Sequence, residues 1–74
     1  MSRADVEVVH IIGGWLRKEM AARGMTQKEL ARQARVSQEA ISSYVNGRMA
    51  PRVGTLLMIL HAFGYAIRIE RRES

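Results

Sequence analysis

The stretch TQKELARQARVSQEAISSYVNGRMAP, residues 26–51, decides how this chain folds. It opens with Thr26-Gln27-Lys28-Glu29, the spacing of a capping box, in which the Thr26 side chain accepts from the backbone N–H of Glu29 while Glu29 reaches back to that of Thr26. Leu30, Ala31 and Ala34 follow at helical spacing as one apolar stripe, which predicts a helix over about residues 26–34. Ser37 is an N-cap candidate and Asn46-Gly47 a left-handed stop, so a further helix is expected over about residues 37–46. Only Arg35 and Val36 lie between them, and the two helices must turn sharply on each other.

Outward from this pair, Pro51 restarts the chain, and Val53, Leu56, Ile59, Leu60 and Phe63 mark a helix over about residues 52–63, ended by Gly64. The tail from Tyr65 through Ala66, Ile67, Arg68, Ile69 and Glu70 to Arg71 alternates apolar and polar, the signature of a strand over about residues 65–71. Toward the N-terminus, Val6, Val9, Ile12, Gly13, Leu16 and Met20 share one face of a helix over about residues 6–22, which Gly24 stops. Its first part, VEVVHII before Gly13-Gly14, also alternates enough to pass as a short strand. There is no linker, repeat or low-complexity tract. The expected fold is therefore mainly α, one domain spanning residues 1–74, with four helices and a C-terminal β-strand.

Composition narrows the class. At 74 residues the chain can bury only about 60% of the surface its unfolded form exposes. It has no cysteine, so neither a disulfide framework nor a thiolate metal site can hold it together. Hydrophobic residues at 47% and charged ones at 26% suit a globular domain. No apolar run approaches the roughly 18–20 residues that span a bilayer, and MSRADVE lacks the features of a signal peptide, so a cytoplasmic location is expected, without membrane association. Twelve cations, ten Arg and two Lys, stand against seven anions for a net charge of +5. Such a balance suits either an anionic partner, for which Arg offers bidentate contacts, or plain solubility.

Two short helices joined by a tight turn describe a helix-turn-helix. On the second helix, Ile41 and Tyr44 point to one side with Ala40 and Val45 flanking, while Gln38, Glu39, Ser42 and Ser43 occupy an opposite arc of about 140°. A major groove can read such an arc: Gln bonds adenine, Glu accepts from cytosine N4, and Ser adapts to several bases. The alternative is an ordinary solvated face. The pattern Thr26, Gln27, Leu30, Ala31, Val36, Ser37, Ile41, Ser42, Gly47, Pro51, Thr55, Leu56, Ile59, Phe63 and Gly64 resembles the Cro/lambda-repressor (Xre) family of DNA-binding domains over roughly residues 12–64. The resemblance implies a four-helix, lambda-repressor-like domain that binds double-stranded DNA with residues 37–46 in the major groove. It also gives Gln27 a contact with the DNA backbone and a buttressing role toward Gln38.

Donors for phosphate are expected around the helix ends: Gln27, Ser37, Asn46, Arg48 and Arg52, the last of which could equally be a solvated helix-start charge. Lys28, Arg32 and Arg35 read as solvated. The chain departs from the family's pattern at four places. Met20 stands where an Arg commonly pairs with the Glu of the second helix, Glu19 where an aliphatic is usual, Arg35 where Gly is common, and Val45 where Glu is frequent. These touch the seating of the first helix more than the reading surface.

Apolar residues off the core face point to a partner. Val8, Ile11 and Trp15 form a second stripe on the first helix, and Leu57 and Met58 lie to one side of the fourth; peripheral packing under the tail is the other explanation. An isolated strand leaves its backbone unpaired, so residues 65–71 are expected to pair either with the same segment of a second copy or with residues 6–10, bringing Tyr65, Ile67 and Ile69 over the core. A two-fold homodimer would set two recognition helices about 34 Å apart, matching a palindromic site. The passage from Phe63-Gly64-Tyr65 into a strand resembles the HipB-type antitoxins, small Xre dimers that repress their own operon and neutralise a toxin. A toxin is thus the alternative partner. His10 and His61 are isolated, no pair of acids is set for acid–base work, and Gly13-Gly14 lacks the context of a phosphate loop. No enzymatic activity, metal or cofactor is expected.

Overall fold

Cap chemistry and apolar spacing account for each helix in turn. In a computed structural model, which describes residues 3–73, the chain runs α1 (Arg3–Arg23), α2 (Gln27–Ala34), α3 (Gln38–Val45) and α4 (Val53–Ala62). The expected domain span of 1–74 also takes in Met1, Ser2 and Ser74, which lie outside the described residues.

The expected capping box is formed. Glu29 N–H donates to Thr26 Oγ1 at 3.1 Å and Thr26 N–H to Glu29 Oε1 at 3.3 Å. Ser37 caps α3 by accepting from Ala40 N–H at 3.1 Å. The helices end alike, each with a left-handed residue and a paired return of two N–H groups to carbonyls of the last turn. Gly24, Gly47 and Gly64 take that position without strain. After α2 it falls to Arg35, with φ 58°, whose Cβ crowds the following carbonyl.

The core takes one fully buried side chain from each helix: Leu16, Leu30, Ile41 and Ile59. Each such burial contributes about 1.5–3 kcal/mol. Met20, Ala31, Ala34, Tyr44, Val45 and Phe63 close around them, so the inner stripes of α2 and α3 are those the spacing predicts. Helix α1 packs on α3, α3 on α2, and α2 on α4.

The first helix is formed as expected and is longer at its N-terminal end, starting at Arg3, so the alternation in residues 6–12 does not make a strand. Other expectations need correction. Val6 is exposed, whereas Val9, one turn further along α1, is buried beside the Gly47 turn. Val53 is 74% exposed, sitting at the open start of α4. Among the described residues there is no β-strand, and residues 65–71 take no regular structure. A strand needs a neighbour, and residues 6–10, one of the two neighbours expected, have their own N–H and C=O groups committed within α1. Without a strand, Tyr65 still turns back onto Trp15 and Arg23 at the margin of the core, while Ile67 stays exposed and Ile69 is 98% exposed. No described helix is long and apolar enough to cross a membrane.

Candidate nucleic-acid interface

The turn between α2 and α3 brings the start of α2 against the outer face of α3. Gln27, the first residue of α2, and Gln38, Glu39 and Ser42 of α3 line one open cleft. Gln38 and Glu39 are exposed and Ser42 half-buried, while Ile41, Tyr44 and Val45 turn inward, as the amphipathic spacing of this helix requires. Four polar side chains thus converge on one concave surface. Ser43, expected in the same arc, is half-buried and does not line the cleft.

The polar groups have definite hydrogen-bond roles. Asn46 Nδ2 donates to Ser42 Oγ at 3.2 Å, which leaves the Ser42 hydroxyl proton free to donate outward. Ser37 Oγ accepts its capping bond, so toward a phosphate it too acts as a donor. Asn46, Arg48 and Arg52 are exposed, the first two around the end of α3 and Arg52 as the N-cap residue of α4. Gln27 lies at the N-terminus of α2, whose free amides favour an anion. The cleft itself joins three uncharged polar side chains, Gln27, Gln38 and Ser42, with one carboxylate, Glu39, a mixture of hydrogen-bond donors and acceptors.

The residues assigned to a partner surface are divided between two settings. Trp15 is half-buried in its own chain, edge-on to Phe63 with centroids 5.7 Å apart and tilted on Tyr65 at 6.4 Å. Arg23 lies over the Phe63 ring at 4.9 Å and donates to the Phe63 carbonyl at 3.0 Å. Glu19, beside them, forms an ion pair with Arg23. Leu57, Met58, Ile67 and Ile69 remain exposed, as do Val8 and Ile11. Between α1 and α4 an apolar groove is lined by Ile11, Ile12, Trp15, Leu56 and Leu60.

Sequence reasoning missed what supports α3 from behind. Gly13 passes so close to α3 that a Cβ there would stand 2.9 Å from the Tyr44 carbonyl and 3.0 Å from that of Val45. The Arg17 guanidinium donates to the Val45 carbonyl, and a Cβ on Gly47 would meet His10 Nδ1 at 3.1 Å. Residues 10, 13 and 17 lie within one narrow stripe of a helix. A mid-helix Gly costs about 1 kcal/mol relative to Ala, and that cost was the available signal of a close approach.

A family model described as helix-turn-helix matches residues 16–69, well over half of the chain. No curated protein and no solved structure matches it significantly.

Proposed function

The chain belongs to the Cro/C1-type (Xre) helix-turn-helix family, and on that premise we propose that it is a dimeric repressor whose α3 reads a palindromic operator in the major groove. DNA-binding transcription regulation is the kind of activity this family has, and its ligand is double-stranded DNA. It is a family of DNA-binding domains, not of enzymes.

The observation that carries the proposal is the shared cleft of Gln27, Gln38, Glu39 and Ser42 on a face free of core side chains. Gln38, Glu39 and Ser42 read base edges, with Ser43 at the margin of the same arc. Gln27, Ser37, Asn46, Arg48 and Arg52 hold phosphates and fix the register of α3. The dimer is supported by the apolar groove between α1 and α4 and by the exposed Leu57, Met58, Ile67 and Ile69, with the free faces of Trp15 and Tyr65 beside them. A toxin partner has less support, because the strand on which the antitoxin resemblance depended is absent among the described residues.

Selection of bound duplexes from a random pool tests this directly. Two inverted half-sites about one helical turn apart are the expected product. A pool without a recurring motif overturns base reading, and a motif without inverted symmetry overturns the symmetric dimer. Affinity should fall steeply with salt, in proportion to the phosphates neutralised. Sedimentation at DNA-binding concentrations should give a dimer mass that Leu57→Glu shifts toward the monomer.

A further inference from the structure

The C-terminal end of α3 is closed by backbone and by α1 together. Three of its last-turn carbonyls accept backbone N–H groups: Ser42 from Asn46 at 3.0 Å, Ser43 from Arg48 at 2.9 Å and Tyr44 from Gly47 at 3.1 Å. The carbonyl of Val45, the last residue of α3, accepts from the Arg17 guanidinium, a residue 28 positions away on α1. Left without a donor, that carbonyl would be one of the orphan groups every helix end carries. Gly13 lies one turn before Arg17 and lets α1 close on the same two carbonyls, those of Tyr44 and Val45. His10, a further turn back, sits under the Gly47 turn.

We infer that Arg17 and Gly13 are positioning residues for DNA recognition: they seat the C-terminal end of α3 on α1 and thereby set the angle at which Gln38, Glu39 and Ser42 meet the bases. This rests on the DNA-binding reading above. The physical basis is leverage on a short element. Helix α3 has eight residues, about 12 Å of helix, and its reading side chains project from the face opposite the seat. Its start is tied to α2 by the short turn at Arg35 and Val36, its inner face is held by the buried Ile41, Tyr44 and Val45, and its last carbonyl is held on α1 by Arg17. Removing the Arg17 bond loosens the end of α3 farthest from that turn. A bidentate base contact tolerates little such loosening, whereas a flexible Arg on a phosphate follows it. Arg17 acts through a backbone carbonyl, so its loss should lower discrimination between sequences and not the number of phosphates bound.

The test compares Arg17→Met, Arg17→Lys and Gly13→Ala with the parent protein on the selected site and on random duplex, across a salt series. Arg17→Met should lower the ratio of specific to random affinity by about fivefold or more, the lower end of one bidentate base contact. Its salt slope should stay unchanged. Arg17→Lys, which keeps a donor, should recover part of that ratio. Gly13→Ala should lower the ratio with no charge altered. A slope reduced by about 0.9 with equal losses on both duplexes would make Arg17 a phosphate contact and overturn the inference. An unchanged ratio in a variant that merely melts earlier overturns it as well.

Amide exchange in the free protein supplies a readout independent of DNA. In Arg17→Met the Gly47 and Arg48 amides should exchange about fivefold or more faster relative to that of Leu30, reflecting local release of the seat. A uniform acceleration overturns the seat. If the parent protein selects no sequence at all, the DNA reading fails, and the exchange pattern still decides whether α1 anchors α3.

Discussion

The Tyr65 hydroxyl donates to Glu19 Oε1 at 2.5 Å and so ties the segment after α4 back to the first helix. Glu19 is the position where an aliphatic was expected, and the carboxylate is held by both Tyr65 and Arg23. The tail thus leaves the domain from a fixed point, although beyond Tyr65 it has no regular structure. Tyr65→Phe keeps the ring on Trp15 and Arg23 and removes only the hydroxyl. A bond to a charged group at a partly exposed site should contribute about 0.5–1 kcal/mol. Thermal denaturation should show a midpoint lower by roughly 2–8 °C for a domain of this size. No change in midpoint would mean that solvent replaces the bond at no cost.

The reciprocal Thr26–Glu29 cap fixes where α2 starts, and with it Gln27. Thr26→Ala should cost about 1 kcal/mol, read by denaturant titration with an unchanged slope. Because the two side chains satisfy each other's backbone, the double variant with Glu29→Ala should cost less than the sum of the singles. Strict additivity would argue that the cap acts through Thr26 alone.

Arg35 pays a conformational penalty in the turn that joins α2 to α3. Arg35→Gly should relieve about 1–2 kcal/mol of left-handed strain and give back about half of it as added freedom in the unfolded chain. A net gain of roughly 0.5–1 kcal/mol in chemical denaturation is expected. Destabilisation would show that the Arg35 side chain makes a contact worth more than the strain. DNA affinity should change little, since this cation reads as solvated.

Base reading and phosphate holding separate by their response to sequence. Gln38→Ala should cost roughly 1–3 kcal/mol on the selected site and relax preference at one base pair. Arg48→Ala should weaken all duplexes alike and reduce the salt slope by about 1. Equal losses for Gln38→Ala on selected and random duplexes would remove it from the base-reading set.

How far the fold could be read ahead differs from element to element. Helices α2 and α3 were legible nearly to the residue, because Thr26, Glu29, Ser37 and Gly47 act on backbone groups within four positions of themselves. Their inner faces follow from a 3.6-residue period that no distant contact has to supply. The shared outer face of Gln38, Glu39 and Ser42 was legible for the same reason, whereas the approach of Gln27 to Gln38 was implied only by the family resemblance.

Elsewhere the outcome depended on which neighbour was present. Alternation over residues 65–71 is a statement about side chains, and a strand forms only where another backbone takes up its N–H and C=O groups; the single chain provides none. Val6 and Val53 keep the right helical phase and are nonetheless exposed, because phase sets the direction of a side chain and not whether a neighbour covers it. The seat of α3 on Gly13 and Arg17 joins residues about thirty apart through a backbone carbonyl, which no side-chain pattern encodes. Local periodicity and cap chemistry therefore determined the helices and the polar outer face of α3, while burial at the helix ends, the course of the tail and the contact of α1 with the end of α3 were decided by which surfaces the assembled helices bring within contact distance.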